Sequence, residues 1–219
     1  MKLNGKITKI TAGILLCACS LAALGACGAK PDDKEGNQGY VMEAEYINLD
    51  GVAGAGISSD QSGVEMIYVN GTQREKDLGW SNGYFVGYTY ATNLELNFEF
   101  NAETAGKASI TLRLGSELGD LTLDSGTFDA ILNGKYIRYR NVFVEGSTIE
   151  AMKFFDRTIT TSANLQAGSN KITLKVLENE FKSGKTGGPT IDCVKIKTES
   201  KLSWTDKTDN PGRRGSMFG

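Results

Sequence analysis

Apolar side chains recur at every second position through most of the chain. Leu94, Leu96, Phe98 and Phe100 alternate with Glu95, Asn97 and Glu99. Ile110, Leu112 and Leu114 alternate with Thr111 and Arg113, and Ile172, Leu174 and Val176 with Thr173 and Lys175. A period of two predicts strands with one buried and one wetted face. Asn133-Gly134, set between Phe128–Leu132 and Lys135–Tyr139, predicts a tight hairpin turn. Further strands are expected at Val41–Ile47, Met66–Val69, Phe85–Tyr90, Val142–Val144 and Val194–Lys197. Only Thr148–Phe155 carries a helical signal, a turn or two capped by Ser147 or Thr148. About eight or nine short strands with turns between them predict an all-β, antiparallel sandwich.

The alternation does not extend to the N-terminal residues. Lys2, Lys6 and Lys9 precede an apolar stretch, Ile10–Leu24, and no acidic residue occurs before Asp32. The stretch is short for a membrane span and has the layout of an export signal. It closes on Leu24-Gly25-Ala26-Cys27, which resembles the bacterial lipobox. That resemblance implies cleavage before Cys27, with the Cys27 thiol carrying a diacylglyceryl group. Two acyl chains hold a protein stably on a bilayer where one does not. A plain secretory signal with a chance cysteine is the alternative. The expected layout is a lipoprotein signal peptide over 1–26, a flexible tether over 27–39, a sandwich over 40–198 and a tail over 199–219. The tail is expected to pack near Trp204 and fray after Pro211. Its expected place is the extracellular face of the bacterial cell membrane, lipid-anchored and monomeric.

Charge and cysteine content narrow the function. The net charge is −2, and loss of Lys2, Lys6 and Lys9 with the leader makes it more negative. That balance argues against nucleic acid and against any membrane contact beyond the anchor. Of the four cysteines only Cys27 and Cys193 survive processing. If Cys27 is acylated, Cys193 has no disulfide partner, and its place in a predicted strand reads as a small core residue. The chain contains no histidine, which removes Ser-His-Asp and Cys-His nucleophilic systems. Gly51, Gly54 and Gly56 lack the lysine and the following helix that a phosphate loop needs.

Glu43 and Glu45 lie two apart in a predicted strand, so both carboxylates should leave the same face. Taken alone, the pair reads first as two solvated glutamates, and otherwise as oxygen ligands suited to Ca²⁺. Three pieces in order then carry a family resemblance: this Glu-Ala-Glu opening, Trp80–Gly87 (WSNGYFVG), and Leu165–Leu174 (LQAGSNKITL) followed by Gly188–Val194 (GPTIDCV). Together they resemble carbohydrate-binding modules of families 6 and 35, galactose-binding-like jelly-roll sandwiches. The resemblance implies a structural Ca²⁺ held by Glu43, Glu45 and Asp192, with backbone oxygens around Ser81 and Gly83 as further ligands. It also implies a polysaccharide or oligosaccharide ligand near Trp80, Tyr84, Phe154, Phe155 and Thr190. The family pattern is departed from at two places: Phe154 and Phe155 stand near a usual Trp, and Thr190 replaces a loop Asn. Tyr88, Tyr136, Tyr139 and Trp204 are other candidate platforms, with core packing the alternative for each. Arg138, Arg140, Asp156 and Arg157 are candidate polar readers.

The implied function is non-catalytic glycan binding at the cell surface. Two alternatives stay open: a sandwich for protein docking or envelope assembly, and a small glycosidase or lyase built on two carboxylates.

Overall fold

The computed structural model describes residues 38–50, 52, 65–68, 81, 84–87, 89, 92–116, 119–147, 153–177 and 188–208. The expected signal peptide, the expected lipidation site Cys27 and nearly all of the expected tether lie outside these residues. Thirteen strand segments are present among the described residues. In chain order they are β1 Gln38–Glu43, β2 Glu65–Tyr68, β3 Tyr84–Gly87, β4 Glu95–Ala102, β5 Gly106–Gly115, β6 Leu121–Leu123 and β7 Phe128–Leu132. There follow β8 Lys135–Tyr136, β9 Val142–Val144, β10 Phe155–Leu165, β11 Gly168–Val176, β12 Thr190–Thr198 and β13 Leu202–Ser203. The surplus over the expected number comes chiefly from pieces of two or three residues, too short for a period to reveal.

The segments form two main antiparallel sheets. One runs β10-β5-β12-β3-β2, with β1 beside β12; the other runs β13-β4-β11-β7-β8. β6 and β9 pair separately. The inward faces follow the alternation closely. Leu96, Phe98, Phe100, Ile172, Leu174 and Phe128 from one sheet meet Ile110, Leu112, Leu114, Val194 and Ile196 from the other in one core. Phe98 and Ile172 are fully excluded from solvent.

Two turns explain themselves chemically. Asn133 and Gly134 have φ of 50° and 76° between the paired residues Leu132 and Lys135, the left-handed backbone a two-residue hairpin demands. At Gly168, the first residue of β11, the backbone is also left-handed, at φ 84°. Here the buried Asn170 side chain staples the turn: its amide nitrogen donates to the carbonyls of Gln166 (2.8 Å) and Gly168 (2.9 Å), while its oxygen accepts from Gln166 N–H at 3.0 Å. The same Asn170 oxygen also accepts from Asn133 Nδ2 at 2.9 Å, which ties the Ala-Gly-x-Asn turn to the Asn133-Gly134 hairpin.

Three expectations are corrected. Phe155 opens the longest strand, β10, so the helical turn expected up to Phe155 gives way to coil at Lys153 and Phe154 within the described part. The strand expected over Val41–Ile47 stops at Glu43 and becomes a single 3-10 turn, Ala44–Tyr46. The strand expected through Tyr139 ends at Tyr136. The tail beyond residue 198 contributes β13, which pairs with β4 and carries Trp204 edge-on to Tyr40, ring centroids 6.3 Å apart.

Candidate metal centre and ligand groove

The carboxylates come together because β12 is irregular at one place. Ile191 faces Leu114 of β5, yet the next partner, Arg113, faces Cys193, so Asp192 is an extra residue in the ladder. Such a bulge re-aims side chains that strict alternation would send to opposite faces. On the other side of β12, Glu43 at the end of β1 stands opposite Cys193. The ligand atoms of Glu43, Asp192 and Cys193 consequently lie within 4.8 Å of one another, a group that could hold a metal ion.

Ser81, more than a hundred residues from Asp192 in sequence, ties the group together. Its N–H donates to Asp192 Oδ1 at 2.8 Å. Its hydroxyl oxygen lies 2.8 Å from Glu43 Oε2 and 2.9 Å from Asp192 Oδ2. One hydroxyl proton serves only one of two acceptors, so two ionised carboxylates here need a further proton or a cation between them. Burial, the leading cause, pushes Glu43 from 4.5 up to about 7 and Asp192 from 3.8 up to about 6. The Arg113 guanidinium gives only partial relief, its Nε standing 4.0 Å from Asp192 Oδ2. Burial also drives the Cys193 thiol well above its ordinary range, so it remains a neutral S–H beside the carboxylates. The ionisable donors are thus oxygens, a set suited to a hard divalent cation.

Glu45 reaches its position differently from the strand reading. In a 3-10 turn residues two apart do not share a face, and Glu45 is buried completely beneath the turn. Ser81 is present in the cluster, through its N–H and hydroxyl rather than as a carbonyl ligand. Gly83 lies outside the described residues.

Near this cluster runs a groove of about 460 Å³. The outward face of β4 supplies Glu95, Asn97 and Glu99, the segment after the 3-10 turn supplies Asn48 and Asp50, and the tail supplies Trp204 and Asp206. Trp204 is partly exposed, and its indole N–H donates to Asp206 Oδ1 at 3.0 Å, which fixes the ring. Lys207 Nζ holds Asp50 Oδ2 at 2.7 Å and Lys175 Nζ holds Glu95 Oε1 at 2.9 Å. The groove therefore presents the oriented Trp204 ring, with Tyr46 also in its lining, among amides and carboxylates. Its β4 residues were visible as a wetted strand face; their meeting with Trp204 was not.

The remaining ligand expectations scatter. Trp80 lies outside the described residues, as does the side chain of Tyr84. Phe154 is buried against Phe85 with ring centroids 5.0 Å apart, so its face is taken by the core and is not a sugar platform. Thr190 is 2 % exposed at the start of β12 and offers no surface hydroxyl in place of the family's loop amide. Phe155 is partly exposed, with the Arg157 guanidinium 5.0 Å over its ring. None of these lines the Trp204 groove.

No protein-family model matches the sequence, and neither does any curated protein. Among solved structures, the chain is similar to a Podospora anserina GH26-CBM35 β-(1,4)-mannanase, at 17% identity and a TM-score of 0.47 over 73% of this chain. The match spans 27% of that enzyme's length. The chain is also similar to a CBM35 from Cellvibrio japonicus Abf62, at 12% identity and a TM-score of 0.46, covering 75% of this chain and 97% of that one. A family 35 carbohydrate-binding module from Clostridium thermocellum gives 17% identity and a TM-score of 0.43, covering 75% and 98%.

Proposed function

We propose that the protein is a lipid-tethered, non-catalytic glycan-binding sandwich at the bacterial cell surface, stabilised by Ca²⁺. The observation that carries the binding role is the groove in which Trp204, held by Asp206, stands among Asn48, Asn97, Glu95 and Glu99. An aromatic face takes the apolar C–H side of a sugar ring, while amides and carboxylates read its hydroxyls. Two of the groove's carboxylates are tied to lysines and a third to the Trp204 indole, which favours holding a ligand over turning one over. The metal role rests on Glu43 and Asp192 sharing one Ser81 hydroxyl. Glu43 and Asp192 would hold Ca²⁺, with Glu45 as the further carboxylate that the family resemblance implies. The ion would supply positive charge and fasten β1 to β12, in a chain whose Cys193 is free. Cys27 would carry the lipid.

The test is a titration of the full chain, in detergent and Ca²⁺, with neutral plant and microbial polysaccharides while tryptophan fluorescence is followed. The signal should come from Trp204 and disappear in a folded Trp204→Ala variant. Absence of binding across a broad glycan panel would overturn this reading and favour protein docking.

A further inference from the structure

A second groove lies on the other side of the sandwich. The two main sheets end there in β10 and β8, while the Trp204 groove sits by β13, at the opposite edge of the second sheet. Residues 137–143, running from the end of β8 into β9, border two hollows of about 570 and 630 Å³ that share Arg138 and Thr160. The two open hollows adjoin at these residues as one channel. Its cations are Lys135 and Arg138 in the first hollow, and Arg138, Arg140 and Arg157 in the second.

Its charge is opposite in sign to that of the whole chain, whose net charge is −2. The single acid lining it, Asp156, is already held by Lys195 at 2.8 Å and Arg113 at 3.5 Å. Lys135, Arg138 and Arg140 are exposed and make no ion pair among the described residues. Arg157 donates from Nε to Phe143 O at 3.1 Å and lies over the Phe155 ring, so one cation is fixed and the others are available. The channel also holds two of the three large apolar side chains that are exposed among the described residues, Tyr136 (69 %) and Phe143 (52 %). Exposed rings beside free guanidinium groups have a chemical reading. Guanidinium forks grip carboxylate, sulfate or phosphate oxygens, often two at a time, and the rings stack on sugar faces.

We infer that this channel is a separate binding site for an anionic glycopolymer, a sugar or polyol chain bearing regularly placed carboxylate, sulfate or phosphate groups. Two hollows meeting at Arg138 and Thr160 suit a chain rather than a compact ligand. The acidic remainder of the protein confines attraction to the channel and repels polyanions elsewhere. The inference stands independently of the Trp204 groove, since the two share no lining residue.

The experiment is affinity electrophoresis of the full chain in detergent through gels containing polygalacturonate, dextran sulfate or poly(glycerol phosphate). Neutral dextran is the blank, and polyphosphate, single-stranded DNA and anionic phospholipid vesicles are competitors. Retention by at least one anionic glycopolymer, weakening as salt rises, is expected, and which one binds identifies the anion. The double variant Arg138→Gln/Arg140→Gln should lose about tenfold in affinity, the worth of one charge-assisted contact. Phe143→Ala should erase the preference for glycopolymer over polyphosphate. All three residues are solvent-exposed, and unchanged melting curves confirm folding of the variants. No retention by any anionic glycopolymer overturns the inference. So does displacement by polyphosphate, DNA or vesicles as effective as by the glycopolymers with Phe143→Ala indifferent, because charge alone would then explain the binding.

Discussion

In a chelator, the melting temperature of this protein should fall as pH rises, and Ca²⁺ should restore it. Glu43 is raised from 4.5 to about 7 and Asp192 from 3.8 to about 6, so the folded state keeps protons that the unfolded chain has released. A raised carboxylate contributes stability that is present at acidic pH and is lost as pH climbs from the unfolded value through the folded one. One pKa unit corresponds to about 1.4 kcal/mol, so ionising either group alone in the fold costs about 3 kcal/mol. The two repel each other and Glu43 retains some solvent, so the figures do not simply add. At roughly 2–4 °C per kcal/mol for a chain of this size, the fall should be roughly 6–12 °C between about pH 5 and about pH 8. Ca²⁺ at about a hundredfold excess over its dissociation constant contributes about 2.7 kcal/mol, enough to offset most of the loss. Scanning fluorimetry across pH, with chelator and with Ca²⁺, measures both effects. Glu43→Gln, which removes the charge but keeps an acceptor for Ser81, should remove the Glu43 share of the fall in the chelator curve, leave the share due to Asp192, and abolish the Ca²⁺ response. A chelator curve level over this range, unmoved by added Ca²⁺, would refute the argument.

Other outcomes follow from single side chains. Glycan affinity of the Trp204 groove should be weak, with dissociation constants on the order of 10⁻⁵ to 10⁻³ M, because one stacked ring and a few hydrogen bonds leave little after desolvation; calorimetric titration measures it. Phe98→Ala, at the middle of the sheet interface and fully buried, should cost about 3–5 kcal/mol by denaturant unfolding. Cys27→Ala should abolish fatty-acid labelling in cells, and unchanged labelling would remove Cys27 as the anchor.

The alternation of Leu94–Phe100, Ile110–Leu114 and Ile172–Val176 located β4, β5 and β11, because each packs one face on the core and wets the other. β10 escaped that reading. As an edge strand it buries few side chains, Ile159 and Leu165 among them, and register shifts at Thr158/Thr160 and Thr160/Ala163 break its period. Glu43 and Asp192 could be picked out from the family resemblance, but the reason they meet is the bulge at Asp192, a feature of strand pairing with no local signal. Glu45 shows the reverse: it follows a strand pattern, and the chain turns before reaching it. Trp204 met β4 only through the short β13 pairing, which a two-residue strand cannot announce in sequence.

The pairing of β1 with β12 has a mechanical consequence. Their register runs from Gln38↔Thr198 to Glu43↔Cys193, so a pull on the chain's N-terminal side loads β1 first at Gln38. Successive rungs would then part toward the Glu43 end, as in a zipper. The last rung is the one beside Ser81 and Asp192, where Glu43 is fastened by its side chain as well as by its backbone. Peeling therefore meets the buried Tyr40 and Met42 first and runs into its firmest attachment at the end of the strand, so a brief tug can lift the outermost rungs, Gln38 and Gly39, and let them reseat before Tyr40 leaves the core.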